Sequence, residues 1–150
     1  MSRFELGTDG PTVVLTGVDG TRTSMRAAAY AAGLARRQGA LLVAVYVSGT
    51  GAAGGFAGLA AGSLAAVAMS SREYGEQLRA EGTTAAAQLG IRFQFITAEG
   101  DPYRELTRIA DEVRAEVVVI GASEAAGHRL VGSLAVRLVR AGRWPVTVVP

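Results

Sequence analysis

The sequence predicts an α/β fold, a three-layer, doubly wound, five-stranded parallel sheet with helices on both faces. Three observations carry this. Five short apolar runs recur along 150 residues, each of the first four followed by a segment of helical spacing. Several runs are unbroken and β-branched, as in strands covered on both sides. Turn and capping residues punctuate the runs where helices should start and stop.

The elements follow in order. Residues 1–11 read as a loose leader ahead of a single domain spanning 12–150. Residues 12–18 (TVVLTGV) form the first expected strand and end in the turn signal Asp19-Gly20. Thr21 then offers a helix cap, Met25, Ala28, Ala32 and Ala35 keep helical spacing, and Gly39 closes the helix. Residues 40–47 (ALLVAVYV) are the second strand. A Gly/Ala-rich stretch at 48–69 is long for a connection, and its second half has room for a turn or two of helix. Ser70 and Glu73 form a capping box that opens a helix reaching Leu89. Residues 91–97 (IRFQFIT) alternate polar and apolar, which suits an edge strand. Asp101-Pro102 starts a helix with Leu106, Ile109, Ala110 and Val113 inward. Residues 117–120 are the fourth strand. Ser133 is expected to cap a helix beginning at Leu134, with Leu134, Leu138 and Ala141 inward and Arg137 and Arg140 outward. Val146–Val149 is the last strand.

Composition excludes several functions. Without cysteine there are no disulfides or thiolate metal sites, and a reducing, cytoplasmic setting is expected. His128 is the only histidine, so no His-cluster metal site is available. All 15 basic residues are arginine. The missing lysine removes Schiff-base chemistry and a P-loop lysine, and it rules out a receiver domain, which needs one. The arginines are spread, with few aromatics among them, so no nucleic-acid stripe is expected. Residues 38–71 carry no charge. A membrane span there is rejected, because one crossing would separate two strands of one sheet and Gly and Ala contribute little insertion energy.

In a doubly wound sheet, ligands bind at the carboxyl ends of strands where the winding reverses. If the first and fourth strands are neighbours, two loops meet there, 17–21 and 121–133. Asp19 can accept hydrogen bonds from a sugar hydroxyl or a base amino group, or simply serve an Asp-Gly turn and helix start. Gly121, Gly127, Gly132 and Ser133 can point backbone N–H groups at a phosphate. His128 lacks a nearby carboxylate in sequence, and Arg129 stands alone as a loop arginine. There is no GxSxG, no cysteine nucleophile and no GxGxxG after the first strand.

At this point TVVLTGVDGTRTSMRAAAYAAGLARRQGALLVAVYV, EGDPYRELTRIADEVRAEVVVIGAS and VGSLAVRLVRAGRWPVTVV together resemble the universal stress protein family. The resemblance implies flavodoxin-like winding with strand order 3-2-1-4-5 and a cytoplasmic homodimer paired through the last strand. Nucleotide-binding members carry a glycine, two residues, a second glycine, nine residues, then Gly-Ser or Gly-Thr. Gly121 matches the first glycine, Glu124 stands at the second, and Gly132-Ser133 follows after seven residues. Asp19 resembles the family's adenosine-contacting acid. The implied function is a regulatory or protective protein, not a fast enzyme, with a remodelled or degenerate site for ATP or AMP. The cofactor-binding residues are Gly17, Asp19, Ile120, Gly121, Gly127, Gly132, Ser133 and Leu134, with no catalytic or metal residue. Genuine ATP or AMP binding with at most slow hydrolysis, and a ligand-free interaction dimer, are the alternatives. The 48–69 stretch leaves the same side as the site and is expected to fold over it as a lid.

Overall fold

The computed structural model describes residues 10–49, 64–123 and 132–150. Within them run β1 (Val13–Gly17), α1 (Arg22–Gln38), β2 (Leu41–Ser48), α2 (Leu64–Leu89), β3 (Arg92–Glu99), α3 (Pro102–Glu112), β4 (Val117–Gly121), α4 (Ser133–Ala141) and β5 (Val146–Val149). The sheet has order β3-β2-β1-β4-β5 and every pairing is parallel. The expected class and strand order are both observed.

Strand side chains alternate between the two faces, and the core divides accordingly. On one face Val14, Leu42, Val117 and Val119 pack against Ala27, Ala31 and Ala35 of α1, while Val18, Ala44 and Phe95 meet Leu78 of α2. On the other, Leu15, Val43, Val45, Val118 and Ile120 receive Leu106, Ile109 and Ala110 of α3 and Ala135 and Leu138 of α4. The chain winds outward from β1 through β2 to β3, then crosses to β4 and β5. The reversal therefore falls between β1 and β4, which opens a crevice at their carboxyl ends.

Three expectations are corrected. The buried stripe of α1 is Ser24, Ala27, Ala31 and Ala35, with Met25 41% exposed. Alanine stands at 28 and 32 as well as at 27 and 31, so apolar spacing alone left the phase of the helix open. The capping box at Ser70 and Glu73 is not used, since α2 is already helical from Leu64. The alanine-rich run before Ser70 has high helix propensity and prolongs the helix, filling the place where the second half of 48–69 had room for a turn or two. Finally, α4 begins at Ser133 itself, with Gly132 as N-cap and no side-chain cap bond. The Gly132 carbonyl already accepts the Val136 amide at 3.2 Å, leaving Ser133 inside the first turn. The lid expectation, and the leader over residues 1–9, lie outside the described residues. No helix among the described residues is long and apolar enough to cross a membrane.

Candidate functional site

The first wall of the crevice is the turn from β1 to α1. Past Gly17 the backbone stays tied to β2, the Val18 amide donating to the Val45 carbonyl at 2.8 Å. Asp19 is exposed, and its Oδ1 accepts from the Thr21 amide at 2.9 Å and the Thr21 hydroxyl at 2.6 Å. Thr21 is the N-cap of α1, and its hydroxyl oxygen accepts from the Ser24 amide. The Ser24 hydroxyl donates to the Thr21 carbonyl and accepts from the Asp19 amide. The carboxylate is thus held in a closed set of local hydrogen bonds with its outer side toward solvent. The two readings of Asp19 left open by the sequence are compatible: it serves the turn, and it still presents an acceptor.

The second wall is the end of β4 and the start of α4. A methyl group at Gly121 would lie 2.5 Å from the Thr23 carbonyl carbon and 2.6 Å from the Ser24 nitrogen. Glycine is required there because β4 ends directly on the first turn of α1. The Thr23 hydroxyl donates to the Ala122 carbonyl at 2.6 Å, and the Ala122 amide donates to Val149 of β5 at 2.8 Å. Gly132 lies against Ser123, whose Cβ would be 2.6 Å from any methyl at 132. The two ends of the glycine-bearing loop therefore meet at its base.

The structure thus brings Asp19, Gly121, Gly132 and Ser133 to one crevice. Ile120 and Leu134 flank it, but the Ile120 side chain is buried at 3% exposure and Leu134 packs on the same core cluster. The Ile120 side chain is thus closed to a ligand, and Leu134 is partly exposed. Gly17 is not sterically compelled, since a methyl there would make ordinary contact with Leu106 at 3.6 Å. Gly127, Glu124, His128 and Arg129 lie outside the described residues. Among the described residues no group of three His, Cys, Asp or Glu side chains could hold a metal ion.

Two residues were missed by sequence reasoning. Tyr74 of α2 places its phenol oxygen against Gly20, in the space a side chain there would need, and Gly20 also has φ +81°. Tyr46 of β2 meets Tyr74 edge-on, ring centres 6.0 Å apart at 74°, and its hydroxyl shares a 2.9 Å hydrogen bond with Ser71. Burial first, then Tyr46, Asp19 and Glu81, hold the Tyr74 phenol above its ordinary pKa of 10.0. The phenol is therefore protonated at neutral pH and close enough to feel the Asp19 charge. No local motif announces this contact, because it depends on how α2 lies on the sheet.

A five-stranded parallel sheet of order β3-β2-β1-β4-β5, wound in both directions from its centre, defines the doubly wound α/β class. The universal stress protein family model matches residues 12–150, and the chain belongs to that family. It is 29% identical over 134 residues to a universal stress protein of Methanocaldococcus jannaschii, covering 87% of this chain and 77% of the relative. A universal stress family protein from Burkholderia pseudomallei has a similar structure, with TM-score 0.75, 26% identity, and coverage of 93% of this chain and 96% of that one. A universal stress protein solved in complex with cAMP has TM-score 0.68 at 22% identity, covering 93% and 96%.

Proposed function

We propose that this chain is a regulatory or protective, cytoplasmic universal stress protein whose crevice is a remodelled adenine-nucleotide site. The observation that carries the reading is the joining of the two walls. Asp19 is fixed beside the α1 cap, and Gly121 sits on the first turn of the same helix. A hydrogen-bond acceptor for adenosine and a backbone edge for phosphate thus share one support. The neighbour solved with cAMP supports an adenine nucleotide as the ligand class. In sequence Glu124 stands where the motif of nucleotide-binding members has its second glycine, and a carboxylate in a phosphate loop disfavours added phosphates, so AMP should be favoured over ATP. The proposed role is binding, with hydrolysis slow at most.

Calorimetric titration with AMP, ATP and cAMP tests this. Wild type is expected to bind AMP more tightly than ATP, and Asp19→Ala to lose at least about tenfold in affinity, a loss of the order of a charge-assisted hydrogen bond. No heat with any of the three would reject the reading and favour a ligand-free interaction protein.

The homodimer belongs to the same proposal. β5 ends the sheet, its residues are half-buried, and three of its four are valine. Such an edge invites pairing with a second copy. Sedimentation equilibrium at twice the chain mass is expected, and a monomer at high micromolar concentration would count against it.

A further inference from the structure

We propose that Tyr74 is a second recognition side chain of the Asp19 subsite, and that the phenol and the carboxylate together take the vicinal diol of a ribose. This rests on the nucleotide reading of the crevice and names the part of the ligand that this corner holds.

Tyr74 is 37% exposed, and its ring is supported from below. That support comes from β2: Tyr46 packs on the ring, and the Tyr46–Ser71 hydrogen bond fixes α2 one turn earlier. Gly75, next in sequence, lets the helix settle onto Tyr46, for a methyl there would lie 3.0 Å from that ring. The phenol oxygen is thereby brought over Gly20, the residue that follows Asp19.

The chemistry of the pair selects the ligand group. An ionised carboxylate only accepts hydrogen bonds, whereas a protonated phenol donates one and accepts another. A phosphate has no proton to give Asp19 and is repelled by its charge. A vicinal diol donates to the carboxylate and accepts from the phenol, satisfying both. The polar tip of Tyr74, not its ring face, reaches this corner, so the corner offers hydrogen bonds and no stacking surface for a base.

The test is a cycle between protein and ligand. AMP, 2′-deoxy-AMP and 3′-deoxy-AMP are titrated into wild type and Tyr74→Phe, which keeps the ring and its contact with Tyr46. Tyr74→Phe is expected to weaken AMP roughly three- to tenfold, the worth of one hydrogen bond. Against the deoxy-nucleotide that lacks the contacted hydroxyl, the same substitution should change affinity less than about twofold. Equal losses for all three ligands would overturn the diol assignment and point to the base. AMP binding unchanged by both Tyr74→Phe and Tyr74→Ala would overturn the role of Tyr74 while leaving the nucleotide reading intact. Absence of AMP binding by wild type would overturn both.

Discussion

Helices α1 and α2 lie side by side on one face of the sheet, and both use small residues to come close, yet their seams differ. Under α1, Ala27, Ala31 and Ala35 have no exposed surface, and Gly121 meets the backbone of Thr23 and Ser24. Under α2 the close approaches are to aromatic rings: Gly75 faces Tyr46, and a methyl at Gly82 would lie 2.8 Å from the tip of Phe93. Hollows of about 400 and 460 Å³ flank α2, one lined by Arg79, Ala86 and Phe93, the other by Tyr46, Ser71 and Thr97. Backbone against backbone cannot give way without moving a strand or a helix. Backbone against a ring can, because the ring swings, and here there is room for it. The crevice floor is built on the unyielding seam, and Tyr74 overhangs it from the adjustable one.

The largest effect should come from breaking the α1 seam. Gly121→Ala places a methyl 2.5–2.6 Å from three backbone atoms of α1's first turn. Neither β4, paired on both sides, nor the capped start of α1 can retreat cheaply. A loss of about 3 kcal/mol or more is expected, read as a lower midpoint in urea unfolding. Because the same turn carries Asp19, nucleotide affinity should fall as well. Near-wild-type stability would show that this seam adjusts as α2's does.

A smaller effect of opposite sign is expected inside the same seam. Thr16 shares a face with Val14 and Val18, is completely buried, and its hydroxyl has no hydrogen-bond partner among the described residues. A buried polar group without a partner costs free energy that a methyl does not. Thr16→Val should therefore raise stability by about 1 kcal/mol, measurable as an increased urea midpoint at unchanged slope. A decrease would mean that the hydroxyl is satisfied in solution.

How legible these features were depends on the range of the interaction behind them. Alternating apolar runs and helices were enough for the fold class, and Asp101-Pro102 starts α3 where expected because capping is local: the Asp101 side chain accepts from the Arg104 amide. The strand order came with the resemblance, on motifs such as Gly132-Ser133. Local rules failed where two good options competed. Ser70 has the residues of a cap, but the alanines before it extend the helix through it. Ser133 has a capping side chain, but Gly132 already occupies the cap position. For α1, helical spacing was right and the phase was one residue off, because alanine stands at 27 and 31 and also at 28 and 32, so apolar spacing could not tell the two phases apart. At the site, Asp19 and Gly121 were visible as strand-end residues, whereas Tyr74 and Tyr46 reach their corner through contacts between α2 and β2 that no motif records.

The smallest expected effect sharpens the contrast best, because it is a near-cancellation. Gly75 lies within α2, where replacing glycine by alanine favours the helix by about 1 kcal/mol. Its new methyl would meet two Tyr46 ring atoms at 3.0 and 3.1 Å and Thr97 at 3.6 Å. The neighbours must give by a few tenths of an ångström, and Tyr46 borders the larger hollow, so the ring has somewhere to go. Gly75→Ala should then leave stability within about 1 kcal/mol of wild type, against the severe loss at Gly121. The same ring shift would carry Tyr74 with it through their edge-on contact. Gly75→Ala should therefore weaken AMP binding by a few-fold while barely changing the unfolding midpoint, which separates a disturbance of the overhang from a disturbance of the fold. Loss of stability and binding in equal measure would show that the α2 seam is as rigid as the α1 seam.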